Sequence, residues 1–182
     1  MSNFITYLQN FATGKVVLIL FVLTNLIYGL MLLYSLPLVS SFAPGLALFD
    51  MSPMGYSYTQ AIELLTSLGI EGRNAYLSIQ LPIDYIYPGL FALSYSLLIT
   101  WVLKHYLPKD SKLYMISFVP ILAGVFDYLE NITIVMMLNS FPNISENLVS
   151  LSSAFTIIKS MATSLFFVTL LLAFIMFFKR RQ

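Results

Sequence analysis

Residues 113–141 read LYMISFVPILAGVFDYLENITIVMMLNSF, an apolar run of membrane-spanning length interrupted by Asp127, Glu130 and Asn131. About 20 apolar residues are enough to cross the hydrocarbon core as a helix. A charged side chain at the bilayer centre costs roughly 2.5–3.5 kcal/mol even on lenient insertion scales. Two carboxylates this close together are retained against that cost, so this stretch decides the fold and marks where function is to be sought.

The rest of the chain agrees with a membrane setting. Its 182 residues are 59% hydrophobic and only 9% charged, against roughly 25% charged residues in soluble domains. The net charge of +1 offers no basic field for nucleic acid. There is no cysteine, which rules out a disulfide framework, a thiolate metal site and dithiol redox chemistry. The lone His105 stands beside Lys104, so a histidine metal cluster is ruled out as well. No metal and no cofactor is expected.

Four stretches are long and apolar enough to span, at about 15–40, 81–104, 113–139 and 148–178. The expected fold is therefore all-α, a single membrane domain forming a four-transmembrane-helix bundle. The first stretch is too long for a cleavable signal and lacks a small-residue cleavage site, so it is read as a span that stays in place. The fourth exceeds the core thickness and should tilt or project beyond it. Lys15, Lys104, Lys109, Lys112, Lys179, Arg180 and Arg181 fall on the face shared by the termini and the middle loop, whereas Arg73 falls in a loop on the other face. This bias places both termini in the cytoplasm, and the expected location is a bacterial inner membrane.

The outer loop, about residues 41–80, carries a short amphipathic helix. Ser57 and Gln60 form a capping-box pattern. Ala61, Ile62, Leu64, Leu65 and Leu68 supply an apolar face, and Gly69 a stop. The helix is expected to lie at the interface or over the bundle's outer mouth.

Polar residues recur at helical spacing inside the spans. Pro120, Gly124, Asp127 and Asn131 share one face of the third, and Ser152, Thr156, Lys159 and Thr163 one face of the fourth. Counted from the short loop joining these antiparallel helices, Glu130 and Lys159 differ in depth by only ~3 Å at 1.5 Å per residue. An ion pair of Lys159 with Glu130, or with Asp127 a turn deeper, is geometrically easy. The second span is expected to begin with Asp84, flanked by Tyr85 and Tyr87. Asp84 is read equally as a cap on its helix N-terminus and as a ligand contact near the mouth. The first span offers Asn25, Tyr28 and Gly29. These faces are expected to converge on one cavity in the outer half of the bundle.

If Lys159 pairs with one carboxylate of the third span, the other lacks a cation at its depth. It is then protonated, solvated by cavity water or matched by a ligand cation, and a proton-holding carboxyl is a candidate general acid or relay. The candidate catalytic set is Asp127, Glu130 and Lys159. The candidate ligand contacts are Arg73, Asp84, Tyr87, Tyr128, Asn131 and Thr156. The competing readings are a structural ion-pair network that fixes helix packing, a proton- or cation-coupled transporter built as a homo-oligomer, and an assembly subunit.

The set Gly69-x-Glu71-Gly72-Arg73-x-x-Tyr76, Asp84-x-x-Tyr87-Pro88 and Pro120-x-x-Ala123-x-x-x-Asp127-x-x-Glu130-Asn131 resembles an uncharacterised family of small four-span bacterial membrane proteins. The layout is also similar to that of the EXPERA group, which includes sterol isomerases and the sigma-2 receptor. That similarity implies four spans, cytoplasmic termini, a long first outer loop and carboxylates in a lipophilic cavity. It is an analogy of layout alone. The resulting expectation is a cavity that takes a small or lipid-like ligand from the lipid bilayer.

Overall fold

The computed structural model describes residues 2–179. Arg180 and Arg181, which carry part of the charge argument, lie outside the described residues. The fold is all-α, with no strand among the described residues. Four helical stretches are long and apolar enough to cross a membrane: Gly14–Ser40, Tyr58–Leu103, Lys112–Ser140 and Glu146–Phe177. We number them spans one to four.

Span one packs on span two, span two on span three and span three on span four, while span four also touches span two. Small and polar residues set these contacts, as expected where lipid removes the hydrophobic drive between helices. A Cβ built on Gly124 would lie 2.7 Å from the carbonyl oxygen of Pro88, so spans two and three meet backbone to backbone at that point. Spans three and four are stitched by the Thr133 hydroxyl donating to Ser152 Oγ at 2.7 Å. Spans one and four do not pack closely, which leaves a seam between them.

The interior is layered. One apolar core includes Phe91, Tyr95, Val102, Ala123, Ala162 and Phe166. A second, in the other half, includes Met31, Leu65, Tyr76, Leu81, Ile134 and Val149. Between them, on spans two, three and four alike, lies a polar layer holding Asp84, Asp127, Glu130, Asn131, Ser152 and Thr156, all buried.

The outer-loop helix takes its expected form, but the chain beyond it does not. The capping box is present, with Ser57 Oγ accepting from Gln60 N and Gln60 Oε1 accepting from Ser57 N. Ala61, Leu64, Leu65 and Leu68 form the expected buried face. Gly69 is the expected stop, with non-helical backbone at φ 61° and ψ −169°, and a second helix follows it directly and runs to Ala75. A π-helical turn at Tyr76–Gln80 and a short helix, Leu81–Asp84, then lead into Tyr87–Leu103. The φ/ψ of Gly69 belongs to a region essentially closed to residues with a Cβ, so glycine ends one helix and lets the next start at a new angle. The second span therefore starts well before residue 81. Asp84 accordingly sits within it and does not cap its N-terminus.

Span one carries a π-helical turn in the same half, at Met31–Ser35. The two turns meet where the Ser35 hydroxyl donates to Gln80 Oε1 at 2.5 Å. A further helix, Ser2–Phe11, precedes span one. Lys104 Nζ donates to the carbonyls of Gln9 at 2.6 Å and Ala12 at 3.2 Å, placing a cation on the C-terminal carbonyls of that helix.

Candidate functional site

Spans three and four bring the charged residues together through matched depth. Lys159 Nζ lies 3.1 Å from Asp127 Oδ1 and also pairs with Glu130 Oε2. The Thr156 hydroxyl donates to the other oxygen, Glu130 Oε1, at 2.7 Å. Thr156 stands one turn from Ser152, which accepts from Thr133 and from the Tyr56 hydroxyl, the latter at 2.7 Å. Burial pushes the Tyr56 hydroxyl up from its ordinary range, which keeps it a donor. A ladder of hydroxyls thus runs from the outer loop down to Glu130.

The expectation was that, if Lys159 paired with one carboxylate, the other would lack a cation; here the ammonium contacts both, and the three groups together still carry one negative charge too many. Two further carboxylates add to that surplus. Asp84 is 2% exposed and lines a cavity of about 300 Å³ together with Asp127 and Lys159. Asp50, from the outer loop, lines the same cavity and accepts from the Tyr76 hydroxyl at 2.5 Å. Asp84 interacts electrostatically with Asp50, Asp127 and Lys159. Four of the eight acidic residues of the chain therefore surround or adjoin this cavity, with one lysine among them.

Every span contributes to the walls. Tyr28 and Met31 come from span one, Asp84, Tyr87 and Phe91 from span two, Ala123 and Asp127 from span three, and Lys159, Ser160 and Thr163 from span four. Tyr28 and Tyr87 stack at 5.5 Å between ring centroids, joining spans one and two at the wall. Among the described residues no three His, Asp or Glu side chains are grouped as metal ligands would be.

The remaining sequence candidates fall outside the lining. Arg73 was expected near the mouth as a gate or headgroup contact. Its Nη1 instead donates to the Leu65 carbonyl at 2.7 Å, and its guanidinium lies 4.6 Å from the centroid of the Phe141 ring. It clamps the backbone broken at Gly69. Tyr128 turns toward span two, where its hydroxyl meets the Gly89 backbone and its ring faces Tyr85 at 6.4 Å. Asn131 is wholly buried, and neither polar atom of its side chain has a partner among the described residues. Asn25, expected to face the cavity, binds the Phe21 carbonyl at 2.7 Å instead.

Asp50 was missed in the sequence because it lies in a loop and obeys no helical spacing. Its signal was its position: it is the first acidic residue of the chain, set between Phe49 and Met51. No family model matches the chain, and comparison with curated proteins and with solved structures gives no match.

Proposed function

We propose that this is an integral protein of a bacterial inner membrane, with both termini cytoplasmic, that binds a small or lipid-like ligand in the acidic cavity. The observation that carries this reading is the charge count. Asp50, Asp84, Asp127 and Glu130 meet a single Lys159 in a layer closed above and below by apolar cores. Uncompensated charge in such a layer is costly, so protons or a ligand must supply the missing positive charge. In an enzyme of this kind Asp127 or Glu130 is the proton carrier, Lys159 its counter-ion and Thr156 the donor that orients Glu130. The similarity of layout to the EXPERA group supports a ligand site among the outer halves of the helices.

Infrared spectroscopy of the purified protein in lipid nanodiscs tests the charge argument. A band from a protonated carboxyl, or from a co-purified ligand, is expected at neutral pH and should be lost in one of Asp84→Asn, Asp127→Asn or Glu130→Gln. Four ionised carboxylates and no bound ligand would overturn it.

One observation favours a second reading, proton- or cation-coupled transport. Spans one and two both carry π-helical turns that meet next to the cavity, and such turns inside α-helices are frequent at functional sites. Proton flux into liposomes, abolished by Glu130→Gln, would select this reading over simple binding.

A further inference from the structure

A separate groove of about 600 Å³ lies in the other half of the bundle, and its walls are almost wholly apolar. Span one lines it with Gly14 and Val17, span two with Leu98 and Trp101, and span four with Leu170 and Phe174. Packed rings close it toward the acidic cavity. Phe91 and Tyr95 stand 4.7 Å apart, and Tyr95 and Phe167 5.4 Å apart, between centroids. The groove ends at those rings, and the seam where spans one and four do not pack closely leads into it from the bilayer. From Gly14 to Phe21 it follows span one for roughly 10 Å at about 1.5 Å per residue, room for the upper part of one acyl chain.

Each of the three lining spans carries an exposed lysine at the end of the groove away from those rings. Lys15 follows Gly14, and Lys104 comes one turn after Trp101. Lys179 comes two residues after Phe177, whose ring centroid is 6.1 Å from that of Trp101. The Lys104 ammonium is held beside the chain entering span one by the carbonyls of Gln9 and Ala12, which leaves one of its three donors unused. Asp110 is the only acidic side chain at this end among the described residues, so the lysines lack counter-charges of their own. A Cβ on Gly14 would lie 3.6 Å from Trp101 Nε1, so the bare glycine leaves the indole N–H at the lip, where it donates to no described residue. We infer that this groove binds one anionic phospholipid from the leaflet at the lysine-rich end, an acyl chain lying between the spans and the phosphate head held by Lys15, Lys104 and Lys179. The apolar walls take the chain, and the lysines select the head, as basic pockets between transmembrane helices do for anionic lipids. The indole N–H supplies a further donor at headgroup level, the ordinary place of tryptophan in a membrane protein. A lipid so held bridges spans one and four, which protein contacts leave apart.

The groove shares no lining residue with the acidic cavity, so this site stands or falls apart from the ligand proposed there. Trp101 is the single tryptophan of the chain and reports occupancy directly. In phosphatidylcholine nanodiscs at low salt, dibrominated phosphatidylglycerol should quench it at a mole fraction lower than equally dibrominated phosphatidylcholine requires, by roughly threefold or more. Lys15→Gln combined with Lys179→Gln should bring the two lipids level. Lys109→Gln combined with Lys112→Gln removes the same charge from the same end, in the loop between spans two and three, and should leave the preference intact. Gly14→Leu, whose Cβ meets the indole at an ordinary 3.6 Å, should fill the lip and weaken quenching by both lipids. Equal quenching of the wild-type protein by the two lipids would overturn the site, and that comparison needs no variant. An equal loss of preference in the two lysine pairs would overturn it as diffuse attraction of the lysine-rich end for anionic lipid, and unchanged quenching in Gly14→Leu would take the chain out of the groove.

Discussion

Lys159 is the side chain on which the polar layer depends, since it alone brings positive charge to Asp127 and Glu130. Removing one member of a buried ion pair leaves the others uncompensated and costs about 3–5 kcal/mol. Lys159→Met should therefore lower thermal stability in detergent by about that amount, and adding Glu130→Gln should recover part of it; a loss below roughly 1 kcal/mol would mean that water or protons already do the work of the lysine. Gly124 gives a sterically sharper test. A Cβ there meets the Pro88 carbonyl oxygen at 2.7 Å, whereas a Cβ on Gly29 meets nothing within 4 Å. Gly124→Ala should cost about 1–3 kcal/mol by forcing spans two and three apart, and Gly29→Ala should be neutral or slightly stabilising, read as thermal midpoints measured side by side. The partnership of Glu130, Asp127 and Lys159 was legible in the sequence, because depth in a helical hairpin is fixed by counting residues. Asp50 was not, because a loop has no such ruler. The partner of Arg73 was not legible for a related reason: a sequence shows a charge but not the Leu65 carbonyl that engages it.

Helices were legible as spans but not as joined or broken pieces. Hydropathy found all four crossings, since each must cover the same apolar thickness. It ended the loop helix at Gly69, because a glycine after an apolar face ordinarily marks a C-terminus, and the non-helical backbone there agrees. It did not show the second helix that follows Gly69 and leads into span two, from which Arg73 reaches back eight residues to donate to the Leu65 carbonyl. Gly69→Ala should cost about 1–3 kcal/mol, the usual cost of forcing such a conformation on a residue with a Cβ. Arg73→Met should leave the spans intact but speed amide hydrogen exchange across residues 58–68, and unchanged exchange there would show that the clamp is dispensable. The helix Ser2–Phe11 escaped the sequence reading because it is too short to span. Phe4, Tyr7 and Phe11 remain exposed along it at near-helical spacing, a face suited to the membrane interface. Lys104→Met should free it from the bundle, seen as faster exchange over residues 2–12.

The molecule as a whole divides into two apolar cores with a polar layer between them, and its charges divide the same way about the membrane. Lys15, Lys104, Lys109, Lys112 and Lys179 gather at one end, where Lys104 also pins the N-terminal helix. At the other end Arg73 is the sole basic residue among the described residues, and its Nη1 donates to the Leu65 carbonyl. If the lysine-rich end is cytoplasmic, as proposed from the positive-inside rule, the acidic cavity lies in the outer half of the bilayer and the apolar groove in the inner half. The chain contains no cysteine, so single cysteines report orientation without background. Asn143 and Asp110 are both exposed, in the loops at opposite ends of the bundle. A membrane-impermeant maleimide added to intact spheroplasts should label Asn143→Cys and not Asp110→Cys, with the pattern reversed in inside-out vesicles. Labelling of Asp110→Cys from outside would invert the molecule, and with it the leaflet from which any head group reaches Asp84 and Asp127.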